Sequence, residues 1–339
     1  MLNEKYDLGK SGLLMPPVIF GTSCFGNLYQ AVDLDTKLAI AREWFKHVKV
    51  PVVIDSAGKY GAGLALECVG KCLRELGISP DDIIISNKLG WKRVPLTTPE
   101  PTFEPGAWIG LEHDAVQDIS YRGIMECYEQ GCELIGAEYA PQLVSVHDPD
   151  EYLAAASSSE DRIARFENII EAYQALHELK SDGRVKAVGI GSKDWRIIKE
   201  ISKLVDLDWV MFACCLTPYR HEAELLEFIA ELNSEGVGMI NSAVFNAGFL
   251  IGGEFFDYRK PDPVQDAELF SWRDNFLAVC KDFNVTPASA CIQYGMQVPG
   301  INATALNTSK PANIKRNVVC MTEIIPNEFW IRLKIIKII

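Results

Sequence analysis

Short apolar runs and amphipathic stretches take turns along almost the whole chain. The runs are PPVIFG (16–21), VVID (52–55), DIIISNK (82–88), QLVSVHD (142–148), VKAVGIG (185–191), WVMFACC (209–215), GMINSA (238–243) and INATALN (301–307). Most are apolar at consecutive positions, the pattern of parallel strands buried on both faces. Stretches of helical period lie between them at 35–47, 64–76, 120–136, 166–181, 194–205, 221–235 and 265–284. In LDTKLAIAREWFKHV, Leu38, Ile40, Trp44 and Phe45 gather on one stripe, as on a helix that covers a sheet. FENIIEAYQALHELKSDGR closes with Lys180 and Gly183, a helix-stop signature. Alternation of this kind predicts a parallel sheet. Eight such units predict closure into a (β/α)8 TIM barrel with the active site at the C-terminal face of the strands. The rival is an open doubly wound sheet, which would carry G-x-G-x-x-G after its first strand. GTSCFGN stands there instead, and the nearest later match, GIGSKDW, lacks the third glycine. No linker or low-complexity segment interrupts the pattern, so residues 1–339 are expected to form one barrel domain.

Two segments depart from the alternation. Residues 92–118 and 149–162 are expected to be long loops, the first rich in Pro and Gly, each directly after a strand. In a barrel such loops line the active-site face. Trp91, Phe103 and Trp108 make the first a candidate binding lid, and the flat faces of Trp91 and Trp108 suit a sugar or another ring.

Composition narrows the function. The chain has 339 residues, 48% hydrophobic and 23% charged, with a net charge of −13. An acidic surface without a basic, aromatic-rich run argues against nucleic acid. The N-terminal MLNEKYDLGK has no signal-peptide core, and no apolar run reaches membrane-spanning length. A cytoplasmic protein with ten reduced cysteines is expected. Cys68 and Cys72, at helical spacing, and the adjacent Cys214 and Cys215 lack metal-finger spacing, so no metal is expected.

Three strand-end regions carry candidate chemistry: Asp55 with Tyr60 in VVIDSAGKYGAG, Lys88 in DIIISNK, and His147 in QLVSVHD. Each has a plainer reading by itself: a turn cap, a packing tyrosine, a solvated charge, a loop histidine. Together they form a proton-handling set. A free phenol has a pKa near ~10, so an adjacent Lys88 ammonium would favour the phenolate while Asp55 held that ammonium in place. His147 would orient a substrate oxygen. His47, His113 and His177 have no such company; His221, at a helix start, is the nearest further candidate.

In order and spacing, Asp55, Tyr60, Lys88 and His147 resemble the catalytic tetrad of the aldo-keto reductase superfamily, whose fold is a (β/α)8 barrel. DSAGKYGAG is similar to its Asp-Thr-Ala-x-x-Tyr-Gly segment, GRVKAVGIGS to its fifth-strand region, and IKRN to the C-terminal helix flanking the cofactor's adenosine. VHDPDEYL, GIGSKDW, NSAVFNAGFLIGG and ALNTSKP most resemble the aldose 1-dehydrogenase branch. The resemblance implies oxidation of an aldopyranose of the L-fucose, L-galactose or D-arabinose type to its lactone, with Tyr60 as proton acceptor. It implies NAD or NADP as cofactor. Ser192 fits the serine that binds the carboxamide, and Lys193 stands where asparagine usually follows. Met211 or Phe212 replaces a glutamine, and Ser242 falls where an aromatic ring commonly stacks, with Phe245 close by. Asn246, Ala247 and Gly248 would border the pyrophosphate. Asn307, Ser309, Asn313 and Asn317 would lie toward the adenosine. Asn313 replaces the arginine common in NADP-preferring relatives, which favours NAD, against Lys310 and Lys315. The alternatives are a pyridoxal dehydrogenase or general carbonyl reductase with the same tetrad, and a non-catalytic nucleotide-sensing barrel. A monomer or homodimer is expected, with the apolar tail FWIRLKIIKII packing on the barrel or joining subunits.

Overall fold

The computed structural model describes residues 1–257 and 259–339. A hairpin of β1 (Tyr6–Asp7) and β2 (Leu14–Met15) leads into β3 (Val18–Gly21), α1 (Leu34–His47), β4 (Val52–Ala57), α2 (Leu64–Glu75) and β5 (Ile83–Leu89). An antiparallel ribbon of β6 (Trp91–Pro95) and β7 (His113–Gln117) precedes α3 (Tyr121–Ile135) and β8 (Leu143–His147). Then come α4 (Pro149–Ala154), α5 (Ser159–Ser181), β9 (Ala187–Ser192), α6 (Trp195–Ser202), β10 (Trp209–Ala213), α7 (Ala223–Glu235) and β11 (Gly238–Ser242). The remainder is α8 (Ala267–Asp282), α9 (Pro287–Met296), β12 (Ile301–Leu306), α10 (Pro311–Thr322) and α11 (Asn327–Ile335).

The eight strands β3, β4, β5, β8, β9, β10, β11 and β12 pair in parallel in that order and close on themselves. This is the expected barrel, and each apolar run of the sequence supplies one of its strands. Two shells of core follow from strand periodicity. Outward residues such as Val52, Ile54, Val144 and Val188 pack beneath the helices. Inward residues including Ile19, Val53, Ile84, Leu143, Trp209 and Ile240 fill the barrel, and Leu8, Leu13 and Met15 of the β1–β2 hairpin region join them. Among the described residues no helix is long and apolar enough to cross a membrane.

The sequence expectation fails in three places, each for a physical reason. Residues 92–118 are not a loop throughout, because their two ends zip together as β6 and β7. Polar staples hold the ribbon: Gln130 of α3 accepts from the Arg93 amide at 2.7 Å and donates to its carbonyl at 3.1 Å. Strands fixed this way need no alternating apolar face and leave no period-2 signal. Residues 149–162 are mostly helical: Pro149 starts α4, and Ser158 caps α5 by accepting from the Asp161 amide at 3.1 Å. The stretch 265–284 is α8, but α9 is the helix that packs on β12. Its sequence PASACIQYGM has no charged face, and Gly295 lies so close to β11 that a Cβ there would stand 2.3 Å from Asn241 Nδ2. The apolar tail packs within the chain, with Phe329 and Leu333 fully buried in a cluster shared with α8.

Candidate active site

The same periodicity aims the polar side chains. Val53, Ile84 and Leu143 point into the barrel. Two or four residues later the same faces present Asp55 on β4, Ser86 and Lys88 on β5, and Ser145 and His147 on β8. Asp55, Lys88 and His147 are 4%, 6% and 3% exposed, so their charges and hydrogen bonds must be satisfied locally. Tyr60 arrives on the turn after β4, its amide bonded to Ala57 O at 3.1 Å. The glycines around it permit a close backbone crossing. A Cβ on Gly26 would lie 2.5 Å from the Tyr60 carbonyl carbon, and Gly61, at φ +62°, would meet Gly26 O at 2.3 Å.

Four groups meet as a result. Lys88 Nζ donates to a carboxylate oxygen of Asp55, to Tyr60 Oη at 3.1 Å and to Ser56 O at 3.3 Å. Ser86 Oγ donates to the other Asp55 oxygen at 3.1 Å. The His147 ring stands edge-on to the Tyr60 ring with centroids 5.7 Å apart. His147 Nε2 lies 3.4 Å from Asp148 Oδ2, while buried Nδ1 has no partner among the described residues.

The electrostatics correct one expectation. Burial alone would lower the Lys88 pKa, but the Asp55 charge and Tyr60 more than offset it, so the ammonium is stabilised. Burial also raises the Tyr60 pKa, outweighing the opposing pull of Lys88. The phenol is therefore neutral in this site near pH 7, rather than a phenolate held by Lys88. Burial, then Lys59 and Lys88, hold His147 well below the usual imidazole range, so it too is neutral.

Beside Tyr60 lies an aromatic cover. Trp91 and Phe103 stand 5.8 Å apart, Phe103 and Trp108 6.2 Å, and Trp108 and Tyr60 5.9 Å. Trp108 is buried between Tyr60 and Phe103, so its ring is packed rather than presented as a free face. Trp91 is half-buried beneath the ammonium of Lys59, 5.2 Å from the ring centroid. Sequence reasoning passed over Lys59 and its partners. The ammonium pairs with Glu104 at 2.8 Å, Asp148 at 3.2 Å and Glu151 at 3.3 Å. Its position next to Tyr60 was the available signal; nothing in the sequence marks Glu104 as its partner.

The residues expected around a cofactor are spread along the other strand ends. Ser192 ends β9 and exchanges hydrogen bonds with the Asp194 backbone, and the amides of Lys193 and Asp194 donate to Asp150 at 3.1 and 3.0 Å. The Lys193 ammonium turns to Glu151. On β10 Met211 faces inward and Phe212 outward. Ser242 Oγ donates to Phe212 O at 3.1 Å, and Phe245 is half-buried against two core clusters. Ala243, Asn246, Ala247 and Gly248 all have positive φ, and among the described residues the amides of Phe245 and Ala247 find no acceptor. Asn246 donates to Cys214 O and Asp257, leaving its buried Oδ1 unpaired; Arg220 pairs with Asp257. Asn307 donates to Ser23 at 2.8 Å, Ser309 accepts from Gln30, and Asn313 donates to Thr308 at 3.1 Å. Asn317 is buried on α10. His221 lies against Tyr294 and Thr217, in none of the tetrad's contacts.

Comparison with known proteins agrees with this architecture. The chain is 28% identical to pyridoxal 4-dehydrogenase of Microbacterium luteolum, covering 98% of this chain and 97% of that protein. It is 26% identical to D-threo-aldose 1-dehydrogenase of a Pseudomonas species, covering 95% and 94%. The solved holo form of aldo-keto reductase AKR11C1 from Bacillus halodurans has the same fold, with a TM-score of 0.69 at 19% identity over 99% of this chain and 96% of that one. The model of the Aldo/keto reductase family matches residues 17–338, nearly the whole barrel and tail, and the chain belongs to that family.

Proposed function

We propose that this aldo/keto reductase oxidises a cyclic hemiacetal at its anomeric carbon to the lactone, with aldopyranoses of the L-fucose, L-galactose or D-arabinose type as substrates. The family uses NAD(P). The observation that carries the proposal is Lys88 bridging the Asp55 carboxylate and the Tyr60 hydroxyl, with neutral His147 beside them. The residues on the opposite rim fit a dinucleotide: the unpaired amides of Phe245 and Ala247 suit phosphate oxygens, and the hydroxyl and amide groups of Ser309 and Asn313 suit a ribose.

When bound, the nicotinamide ring takes up the hydride. The chain's own groups handle the proton and the orientation. For oxidation Tyr60 first gives its own proton to solvent. The phenolate so formed, stabilised by Lys88, then accepts the proton of the anomeric hydroxyl and returns to the neutral phenol. Asp55 keeps that ammonium aimed. His147, being neutral, holds the substrate oxygen by a hydrogen bond without placing a second cation near the leaving hydride. In the reverse direction the neutral Tyr60 phenol is already in its donating form.

A second substrate reading has support of its own. The 28% identity to a protein named pyridoxal 4-dehydrogenase favours pyridoxal, whose aldehyde and neighbouring hydroxymethyl group also close into a cyclic hemiacetal. One chemistry thus covers both substrates. NAD is the favoured dinucleotide because Asn313 offers no guanidinium for a 2′-phosphate, although Lys315 and Arg316 are exposed one turn on. Ten unpaired cysteines, nine of them buried, suit a cytoplasmic site of action.

The test is to follow NADH or NADPH formation with the three sugars and pyridoxal, for wild type and Tyr60→Phe. Turnover with at least one of them is expected, falling by three orders of magnitude or more, roughly, in Tyr60→Phe while dinucleotide affinity is kept. Near-wild-type turnover in that variant would remove Tyr60 from the mechanism.

A further inference from the structure

We propose that Lys59 is a positioning residue that latches the aromatic cover to the tetrad. This rests on the functional reading of Tyr60 and His147 above. Lys59 is 4% exposed, and a buried ammonium is tolerated only when well paired. Its three carboxylates come from two different segments of the rim: Glu104 from the turn between β6 and β7, and Asp148 and Glu151 from the start of α4. Glu104 then passes the contact on. Its second oxygen accepts from Trp108 Nε1 at 2.7 Å, and Trp108 rests on the Tyr60 ring. The path Lys59–Glu104–Trp108–Tyr60 closes a loop between neighbouring residues 59 and 60. Glu151 extends the same hub to Lys193, beside Ser192 at the end of β9.

The arrangement is asymmetric in charge. With Lys59 present, one cation draws three carboxylates inward. Without it, Glu104 and Asp148 lose their shared cation and Glu151 keeps only Lys193. The relief is for the turn at Glu104 to move away from Asp148 and Glu151 and let go of Trp108 Nε1. Backbone bonds from Tyr29 to Ala107 and from Ile109 to Asn27 hold the far side of the cover, so the loss would open its inner edge. The groups facing His147 are Tyr60 and Lys59 from the turn after β4, Lys88 from β5, Asp148 and Glu151 from its own connection, and Lys193 after β9. Removing the Lys59 charge from this set moves His147 titration upward.

The experiment compares Lys59→Met, Lys59→Arg and the milder Glu104→Gln with wild type. Hydrogen exchange of residues 103–108 should quicken about tenfold in Lys59→Met and less in Glu104→Gln, with the barrel strands unchanged. The His147 ring resonance should titrate at higher pH in Lys59→Met and return toward wild type in Lys59→Arg. Substrate KM should rise about tenfold with a smaller change in kcat. Unchanged exchange at 103–108 in both Lys59→Met and Glu104→Gln would overturn the latch. So would a His147 titration that stays put in Lys59→Met. Exchange and titration need no turnover, so they judge the latch even if every substrate above fails, and a dead Tyr60→Phe with a normal cover judges the function alone.

Discussion

At the scale of single residues the site is governed by burial as much as by charge. Lys88 touches the Tyr60 hydroxyl at 3.1 Å, yet burial leaves that phenol above its ordinary pKa. The phenolate fraction therefore grows about tenfold per pH unit through the neutral range and beyond. Oxidation, which needs the phenolate, should show kcat/KM climbing with pH up to the alkaline side, whereas reduction should be flat near neutrality. A pH profile in both directions checks this, and an oxidation plateau already at about neutral pH would count against it. His147 supplies a stability prediction. Its folded pKa lies below the unfolded value of about 6.5. The unfolded chain therefore binds more protons as pH falls below that value. Stability from the neutral imidazole is present above about pH 6.5 and declines below it by up to about 1.4 kcal/mol per pH unit. Urea unfolding of wild type and His147→Gln between neutral and mildly acidic pH should show the steeper decline in wild type.

At the scale of elements, close contact decides which sequence signals survive. Gly70 lies mid-way along α2, where Gly→Ala ordinarily stabilises a helix by about 1 kcal/mol. Here a Cβ would stand 1.8 Å from the Ile135 carbonyl oxygen at the end of α3. The sign should reverse, Gly70→Ala costing about 1–3 kcal/mol in denaturant unfolding, and a more stable variant would show that α2 and α3 can part cheaply. The barrel strands were legible because burial on both faces forces consecutive apolar residues, and the polar exceptions Asp55, Lys88 and His147 fall at their inward, C-terminal ends. The β6–β7 ribbon was not, since Gln130 and Arg93 hold it by hydrogen bonds that leave no hydrophobic period. α9 was hidden because its small residues Ala290, Cys291 and Gly295 serve close packing rather than an amphipathic stripe. Lys59 was hidden for a third reason. A lysine in a glycine-rich turn looks solvated until Glu104, 45 positions away, is folded over it.

At the scale of the molecule, the last helix reaches the proposed cofactor rim through the core. Phe329 and Leu333 of α11 share one apolar cluster with Phe276 of α8 and with Phe249, Leu250 and Phe256 from the segment after β11. That segment begins with the turn at Ala243–Gly248, whose free amides are proposed to meet the pyrophosphate. Arg273 of α8 fastens it further, its guanidinium lying 4.2 Å from the Phe249 ring centroid and donating to Gly253 O at 3.3 Å. Packing at the tail thus bears on the turn proposed to hold the dinucleotide but is remote from Asp55, Tyr60, Lys88 and His147, which hang on β4, β5 and β8. Leu333→Ala should cost about 2–5 kcal/mol of stability, since the side chain is fully buried. In the surviving folded protein the loosened cluster should let the turn after β11 wander, raising the dinucleotide Kd several-fold while leaving the KM for sugar or pyridoxal nearly unchanged. Fluorescence titration with NADH and substrate kinetics at saturating dinucleotide separate the two. A variant that loses stability but keeps the wild-type dinucleotide Kd would show that the rim is set by β11 and its own turn, with α11 serving only to seal the apolar face of α8.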